Sequence, residues 1–266
     1  MLQFNCLADA LSDGFTHADD PKVFTWEHRW PLIQKILLGA DYDFIGLQEV
    51  DHYYTHFMPF LAKYGYQGVF LMRRMDEGPI SKDGVALFWK GDRFRALQDP
   101  FLFDSPGTNK TFGLALNFFT KNRYKVRFTV AVLHLSSKDA GAEQRIAEIN
   151  RFKTEINCIS QHFDEACFVL GDFNDVPYSP VYDIMCQDRF LSAYEPDQPR
   201  TTWKTRHATG EVRRTIDYIW YKIGGWSTSI TVDSTPSREL EAPAPNQTHP
   251  SDHLPLEATF SIIQKF

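Results

Sequence analysis

Long apolar runs, paired cysteines and an excess of positive charge are all missing from this sequence of 266 residues. No stretch of about 18 apolar residues occurs, so no segment is long enough to cross a membrane as a helix. The first residues lack the basic and then apolar layout of a signal peptide. The four cysteines form no C-x-x-C pair, which argues against a zinc cage or a disulfide framework: Cys6, Cys158, Cys167 and Cys186. We therefore expect an intracellular, cytoplasmic protein.

The charge balance is acidic, with a net charge of −6. Proteins that bind long nucleic acids through counterion release usually present a basic surface. The sequence shows no such excess over its whole length. An acidic balance instead suits a site whose carboxylates hold a hard divalent cation.

The alternation of short apolar runs with helical patterns predicts an α/β protein. Its core should be thick, since 43% of the residues are hydrophobic and 22 are Phe. Helical spacing of apolar residues predicts helices at 27–38 and 142–163. Short apolar or alternating runs predict strands in DFIGLQ, VALFWK, FGLALNFF, KVRFTVAVLHL, CFVLGDFN, TIDYIWYK, STSITV and LEATFSI. The proline-rich stretch 242–250 reads as a surface loop rather than a linker. The simplest organisation is therefore one domain over residues 1–266.

Polar side chains cluster where the predicted strands end. Rigid strand ends can bring side chains together at one mouth, and an amide, carboxylates and imidazoles together suit phosphoester hydrolysis. The positions concerned are Asn5, Gln48-Glu49, His134, Asp172, Asn174, Asp217 and Ser251-Asp252-His253.

Each of these features also has a purely structural interpretation. Asp172 and Asn174 are typical of a turn, and His134 suits a satisfied core histidine. Asp217 is harder to dismiss, because it interrupts an apolar strand and an unpaired buried carboxylate costs several kcal/mol. The recurrence of such residues at strand ends favours a functional site.

Six ordered motifs resemble the endonuclease/exonuclease/phosphatase family, and within it the nocturnin-like and carbon-catabolite-repressor-type deadenylase branch. They are Asn5, LQEVDHY (47–53), HLSSK (134–138), GDFN (171–174), TIDYIWY (215–221) and SDH (251–253). The resemblance covers essentially the whole chain. It implies a four-layer αββα sandwich, in which two packed, mostly antiparallel sheets are flanked by helices.

The resemblance also implies a magnesium site, with Mn²⁺ as an alternative ion. Glu49 would be its principal ligand, with Asn5 nearby and Asp252 contributing directly or through water. One metal ion or two remain alternatives at this stage.

Catalytic roles follow from the same resemblance. Asp172 would activate or position the attacking water, and Asn174 would orient that water or the phosphate. His253 would pair with Asp217, and His134 would bind the scissile phosphate. Whether Asp172 or His253 is the general base stays open.

Two substrates compete within this branch: the 2′-phosphate of NADP(H), and the 3′ end of single-stranded poly(A) RNA. Deadenylases typically carry an adenine-stacking Phe five residues before the strand aspartate, where this chain has Val212. Of the basic residues expected to bind a nocturnin-like substrate, Arg73 and Lys138 are present, whereas Ser136 replaces a cation. We expect NADP(H) phosphatase activity narrowly ahead of deadenylation, with no obligate protein partner and no membrane.

Two other readings have less support. A non-catalytic binding module on this fold would be expected to have lost one of the motif residues, and none is replaced. A zinc hydrolase would need an H-E-x-x-H motif or a cysteine cluster, which the sequence lacks.

Overall fold

A five-stranded sheet contains the first strands of the chain in the computed structural model, which describes residues 1–18, 20–73, 83–137, 141–160, 165–206, 208–224, 228–234 and 239–264. Its strands are β1 (Leu2–Asn5), β2 (Phe44–Val50), β3 (Tyr66–Met72), β4 (Gly84–Lys90) and β15 (Leu256–Glu257). Their order is β15-β1-β2-β4-β3, in which β1 and β2 are parallel and the other neighbours antiparallel.

A seven-stranded sheet packs against the first. Its members are β5 (Phe94–Ala96), β6 (Phe101–Asp104), β7 (Thr111–Thr120), β8 (Arg127–His134), β9 (Ala166–Asp172), β10 (Leu191–Ser192) and β13 (Asp217–Lys222). Their order is β10-β13-β9-β8-β7-β5, with β6 also paired to β7; β8 and β9 are parallel, and the other pairs are antiparallel. Two further pairs lie outside both sheets: β11 (Thr202–Arg206) with β12 (Gly210–Arg214), and β14 (Thr228–Asp233) with β16 (Thr259–Gln264).

Alternation along the strands divides the buried side chains between the sheet faces, because successive residues of a strand point to opposite sides. Val130 and Val132 of β8 belong to the core between the two sheets. Ala131 and Leu133 belong to the core on the outer face of the second sheet. Gly46 of β2 lies close against the second sheet. A Cβ at this position would lie 2.7 Å from Leu170 Cδ1.

In the described part of the chain, four α-helices cover the outer faces. Helices α1 (Trp26–Leu37) and α2 (Met58–Ala62) pack on the first sheet, and α3 (Ala142–Ser160) and α4 (Pro180–Gln187) pack on the second. In α3 the buried residues Ile149, Phe152 and Ile156 recur at helical spacing. The predicted four-layer αββα architecture with mostly antiparallel sheets is confirmed.

The predicted elements coincide with observed ones, and their ends agree to within about two residues apart from three differences. The predicted helix 142–163 extends over 142–160, and residues 161–164 lie outside the described part of the chain. Asp217 begins β13 rather than interrupting it. The predicted strand LEATFSI is two strands, because β15 pairs with β1 whereas β16 pairs with β14. Ala258 lies between them, and its N–H donates to the carbonyl of Met1.

Parallel pairing brings the polar strand ends to one edge. Asn5 of β1 is the register partner of Gln48 in β2, and His134 of β8 is the partner of Asp172 in β9. Antiparallel β13 begins where β9 ends, with Asp217 beside Asp172. The polar ends of the two sheets therefore lie together, and we call this place the mouth; Asn5, His134, Asp172 and Asp217 mark it.

Among the described residues, every helix is too short or too polar to span a membrane.

Candidate active site

A bulge in β2 turns Glu49 into this mouth. The pairing of β2 with β4 shifts register between Leu47 and Val50, and Glu49 has a φ of +55°. Such a backbone angle is strained for a residue with a long side chain, and strain of this kind concentrates at functional positions. Glu49 Oε2 accepts a hydrogen bond from the Ala8 N–H at 3.2 Å. The carboxylate is thus held in place while 14% of the side chain stays exposed.

Asn5 joins Glu49 to Asp172. Its Nδ2 donates to Glu49 Oε1 at 3.1 Å and to Asp172 Oδ2 at 3.0 Å. Its Oδ1 accepts from the Leu7 N–H at 3.0 Å. Because the amide oxygen is engaged by the backbone, Asn5 acts here as a donor that holds two carboxylates together.

Asp172 is almost completely buried at the end of β9. Its Oδ1 accepts from the Asn174 N–H at 2.9 Å, and Asn174 Nδ2 donates to the Leu135 carbonyl at 3.0 Å. Asn174 has a φ of +50°, a conformation that Asn tolerates well in turns. Burial, with the charge of Asp217 added, raises the pKa of Asp172 to about 7.

Asp217 fixes the orientation and charge of His253. Its Oδ2 accepts from His253 Nδ1 at 2.8 Å, and its Oδ1 accepts from Gln3 Nε2 at 2.9 Å. Burial alone would lower the pKa of His253, but the charges of Asp217 and Asp252 raise it to about 10. His253 is therefore an imidazolium whose Nε2 lies 3.9 Å from Asp172 Oδ2.

His134, in contrast, is neutral. Burial and the positive charge of Arg73 hold its pKa well below the usual range. Arg73 Nη2 lies 2.5 Å from His134 Nδ1. A guanidinium can only donate, so Nδ1 accepts and the proton of the neutral ring sits on Nε2. That Nε2 lies 3.7 Å from Asp172 Oδ2 and 4.0 Å from Glu49 Oε1.

Asp252 is bound by a residue that sequence reasoning missed. Lys204 Nζ, on β11, donates to Asp252 Oδ2 at 2.7 Å, while Asp252 Oδ1 has no hydrogen-bond partner within the described ranges. Burial would raise the pKa of Asp252, but the charges of Lys204 and His253 hold it well below its usual range. Lys204 follows Trp203 in an ordinary strand pattern, and no local signal marks it as part of a site.

The structure thus brings together eight of the predicted site residues: Asn5, Glu49, His134, Asp172, Asn174, Asp217, Asp252 and His253. Arg73, predicted as a substrate contact, lies against His134. Lys138 lies outside the described residues. Ser136, where a cation was expected, makes two hydrogen bonds to the Glu148 carboxylate.

Comparison with known proteins places this mouth in context. A model of the endonuclease/exonuclease/phosphatase family matches residues 2–253. The chain belongs to this family. It therefore carries the fold of hydrolases that act on phosphate ester bonds.

Relatives within the family include nocturnin and a Ccr4 protein. Nocturnin of Mus musculus is 33% identical over 289 residues, which cover 100% of this chain and 66% of the relative, so the chain spans somewhat less than two thirds of its length. The 3′-5′-exoribonuclease subunit Ccr4 of the CCR4-Not complex of Aspergillus niger is 26% identical, covering 100% of this chain and 52% of that protein. The solved structure of the human nocturnin catalytic domain with a bound sulfate anion has a TM-score of 0.76 and 29% identity, covering 98% of this chain and 93% of that one.

The residues at the mouth fit the divalent metal that enzymes of this family generally use. Ligand atoms of Glu49, His134 and Asp172 lie within 4.8 Å of one another. A second such group joins Asp172 to Asp217 and His253, but there the imidazolium repels a cation. The first group is therefore where a metal ion fits, at the carboxylates of Glu49 and Asp172 and at an edge that is partly open to solvent. The His134 ring is not counted as a ligand, because its Nδ1 accepts from Arg73 and its Nε2 carries the proton.

Proposed function

We propose that this chain, acting as one catalytic domain, is a magnesium-dependent hydrolase of a phosphate ester in an adenine-containing nucleotide. The observation that carries the proposal is the convergence of an open carboxylate, Glu49, a buried carboxylate, Asp172, and a charged His253 at one mouth. Carboxylates suit the hard cation, and the imidazolium suits the phosphate.

Glu49 is the proposed principal ligand of Mg²⁺, or of Mn²⁺ in its place, and bound metal would offset the charge that develops on the phosphate. Asn5 keeps Glu49 and Asp172 together through its two Nδ2 hydrogen bonds. Asp252 contributes its unpartnered Oδ1, directly or through a water molecule.

The charge states favour an assignment that the sequence left open. His253 is already protonated, so it cannot accept a proton and instead donates from Nε2 to a phosphate oxygen. Asp172 is then the group that orients and deprotonates the attacking water, with Asn174 fixing its Oδ1. His134 donates from Nε2 to a non-bridging phosphate oxygen, because Arg73 occupies its Nδ1.

For the substrate, the similarity to nocturnin favours the 2′-phosphate of NADP or NADPH. Val212, at the position where deadenylases typically have the stacking Phe, lies on β12 directly opposite Lys204 of β11. An aliphatic side chain offers no aromatic surface for an adenine ring. The second candidate, 3′-5′ removal of poly(A), is supported by the similarity to the Ccr4 exoribonuclease over the whole chain.

The test is a substrate panel with Mg²⁺ or Mn²⁺: NADP, NADPH, poly(A) RNA, coenzyme A and a phosphoinositide, scored for released phosphate or nucleotide. Glu49→Gln serves as the inactive control. We expect phosphate release from NADP(H) by the parent only. Degradation of poly(A) alone would reject NADP(H) as the substrate in favour of 3′-5′ removal of poly(A). If none of the compounds is hydrolysed, the proposed function is overturned.

A further inference from the structure

Strand β11 forms one wall of the mouth. The Trp203 N–H donates to the Asp252 carbonyl at 3.1 Å, and the Leu254 N–H donates to the Thr201 carbonyl at 2.7 Å. A bridge also joins Thr202 to His253. The β11–β12 hairpin is therefore fixed against the segment that carries His253, so side chains of β11 have defined positions relative to the catalytic groups.

Lys204 extends from this wall to the reacting centre. Its Nζ lies 2.7 Å from Asp252 Oδ2, and that oxygen lies 3.9 Å from His253 Nε2. Asp252 is buried, whereas 24% of the Lys204 side chain is exposed. The ammonium group therefore stands between the buried acid and solvent, beside the ring that is proposed to bind phosphate.

The ammonium group also has donor capacity to spare. An ammonium carries three N–H donors, and within the described ranges Asp252 is the one hydrogen-bond acceptor of Lys204 Nζ. Across the hairpin the neighbouring side chain is Val212, which has no polar atom to compete for these donors. Arg73, another cation at the mouth, is engaged by His134 and lies 3.9 Å from Asp83.

We propose that Lys204 is a substrate-binding residue whose ammonium group donates to an oxygen of the phosphate held by His253. This inference rests on the proposed function, since it concerns the phosphate of the same substrate. Lys204 then has two roles at once. It neutralises the buried Asp252, and it adds positive charge beside His253.

The first experiment measures phosphate binding without turnover. The metal-free protein is titrated with inorganic phosphate and followed by amide NMR shifts. Lys204→Gln should weaken binding about 10-fold or more, because it removes a charge-assisted hydrogen bond to the phosphate. Lys204→Arg should restore most of the affinity. The matched control is Lys222→Gln, at the other end of β13, which removes a lysine of similar exposure (22%) paired with Asp188 at 3.1 Å.

The second experiment separates binding from positioning by kinetics on whichever compound of the panel is hydrolysed. We expect Lys204→Gln to raise KM about 10-fold with kcat within about threefold of the parent. A fall in kcat with unchanged KM and phosphate affinity would overturn the proposal, because Lys204 would then act only through Asp252. If Lys204→Gln does not fold, Asp252→Asn and Asp252→Asn/Lys204→Gln replace it. Equal phosphate affinity of these two would also reject the role.

Failure of the proposed function has a different signature. If no compound of the panel is hydrolysed, that function is wrong, yet the phosphate titration still decides whether Lys204 binds an anion.

Discussion

Replacing Asp217 by Asn tests the charge state on which the proposed mechanism depends. In the parent, the Asp217 carboxylate accepts the His253 Nδ1 proton at 2.8 Å in a buried environment. An Asn side chain of the same shape keeps an oxygen for Gln3 but cannot supply the negative charge. We therefore expect the fold to persist while His253 becomes neutral near pH 7.

The size of the expected change depends on how burial and nearby carboxylates act on the pKa of His253. Burial lowers its pKa, and the carboxylates of Asp217 and Asp252 raise it from 6.5 to about 10. Each pKa unit corresponds to about 1.4 kcal/mol, so protonation of His253 is about 5 kcal/mol more favourable in the folded protein than in the unfolded chain. Without Asp217 the largest of the charges that raise the pKa of His253 is gone, and burial should bring this pKa back down towards its ordinary range. The new amide would donate to Nδ1, so the neutral ring keeps its Nε2–H and loses only its positive charge. Loss of such an electrostatic stabiliser costs roughly 100- to 1,000-fold in rate, so we expect kcat to fall by about 100-fold at pH 7.5.

The pKa shift also has a consequence for stability. A histidine with a raised pKa stabilises the fold fully below its unfolded pKa of 6.5, and this contribution is lost as the pH rises towards 10. The difference in unfolding free energy between the parent and Asp217→Asn should therefore be largest near pH 6 and shrink towards pH 10. Denaturant unfolding at several pH values measures this difference.

Imidazole ¹⁵N shifts of His253 give the direct readout. Asp188→Asn is the control, since it removes a mostly buried acid that pairs with Lys222 at the far end of β13. The reasoning is refuted if His253 in Asp217→Asn still titrates above pH 9, or if kcat stays within about threefold of the parent.

Three further changes test the metal site, the sheet interface and an acid outside the site. Glu49→Gln should weaken Mg²⁺ binding in calorimetry and lower kcat by about 100-fold or more with the fold intact; full activity at the parent's Mg²⁺ requirement would reject Glu49 as ligand. Gly46→Ala should lower the unfolding free energy by about 1–3 kcal/mol, because the new Cβ would lie 2.7 Å from Leu170 Cδ1 and 3.1 Å from Val132 Cγ2; unchanged stability would contradict this close packing. Burial raises the pKa of Glu165 to about 7 from 4.5, so its ionisation should reduce stability as the pH rises through that window; Glu165→Gln should remove this loss, and an identical pH profile of thermal unfolding would count against it.

Local pattern was enough to predict the strands and where their polar ends fall. Alternation in β8 and the apolar run of β9 placed His134 and Asp172 at strand ends, and the parallel register of the two strands makes them neighbours. The buried Asp217 was expected to need a partner, and the structure supplies His253 and Gln3. Composition and spacing alone did not give the pairing of the sheets, which was expected from the family resemblance.

Other features depend on contacts between residues far apart in the sequence. Glu49 has a positive φ and lies in a bulge, at the point where the pairing of β2 with β4 shifts register. Arg73 meets His134 because β3 and β8 lie in different sheets that pack together. Lys204 reaches Asp252 through the β11–β12 hairpin, which pairs with neither sheet. No window of the sequence contains both partners of either contact.

The two histidines of the mouth show why residue identity alone does not assign a mechanism. His134 and His253 are both buried, and burial by itself disfavours the charged form of each. Their ring Nδ1 atoms face partners of opposite charge. A guanidinium keeps His134 neutral, whereas a carboxylate keeps His253 charged. Each ring nevertheless presents an Nε2–H donor near Asp172. A site with two donors leaves proton acceptance from water to the carboxylate between them, and this is why the structure favours Asp172 over His253 as the base.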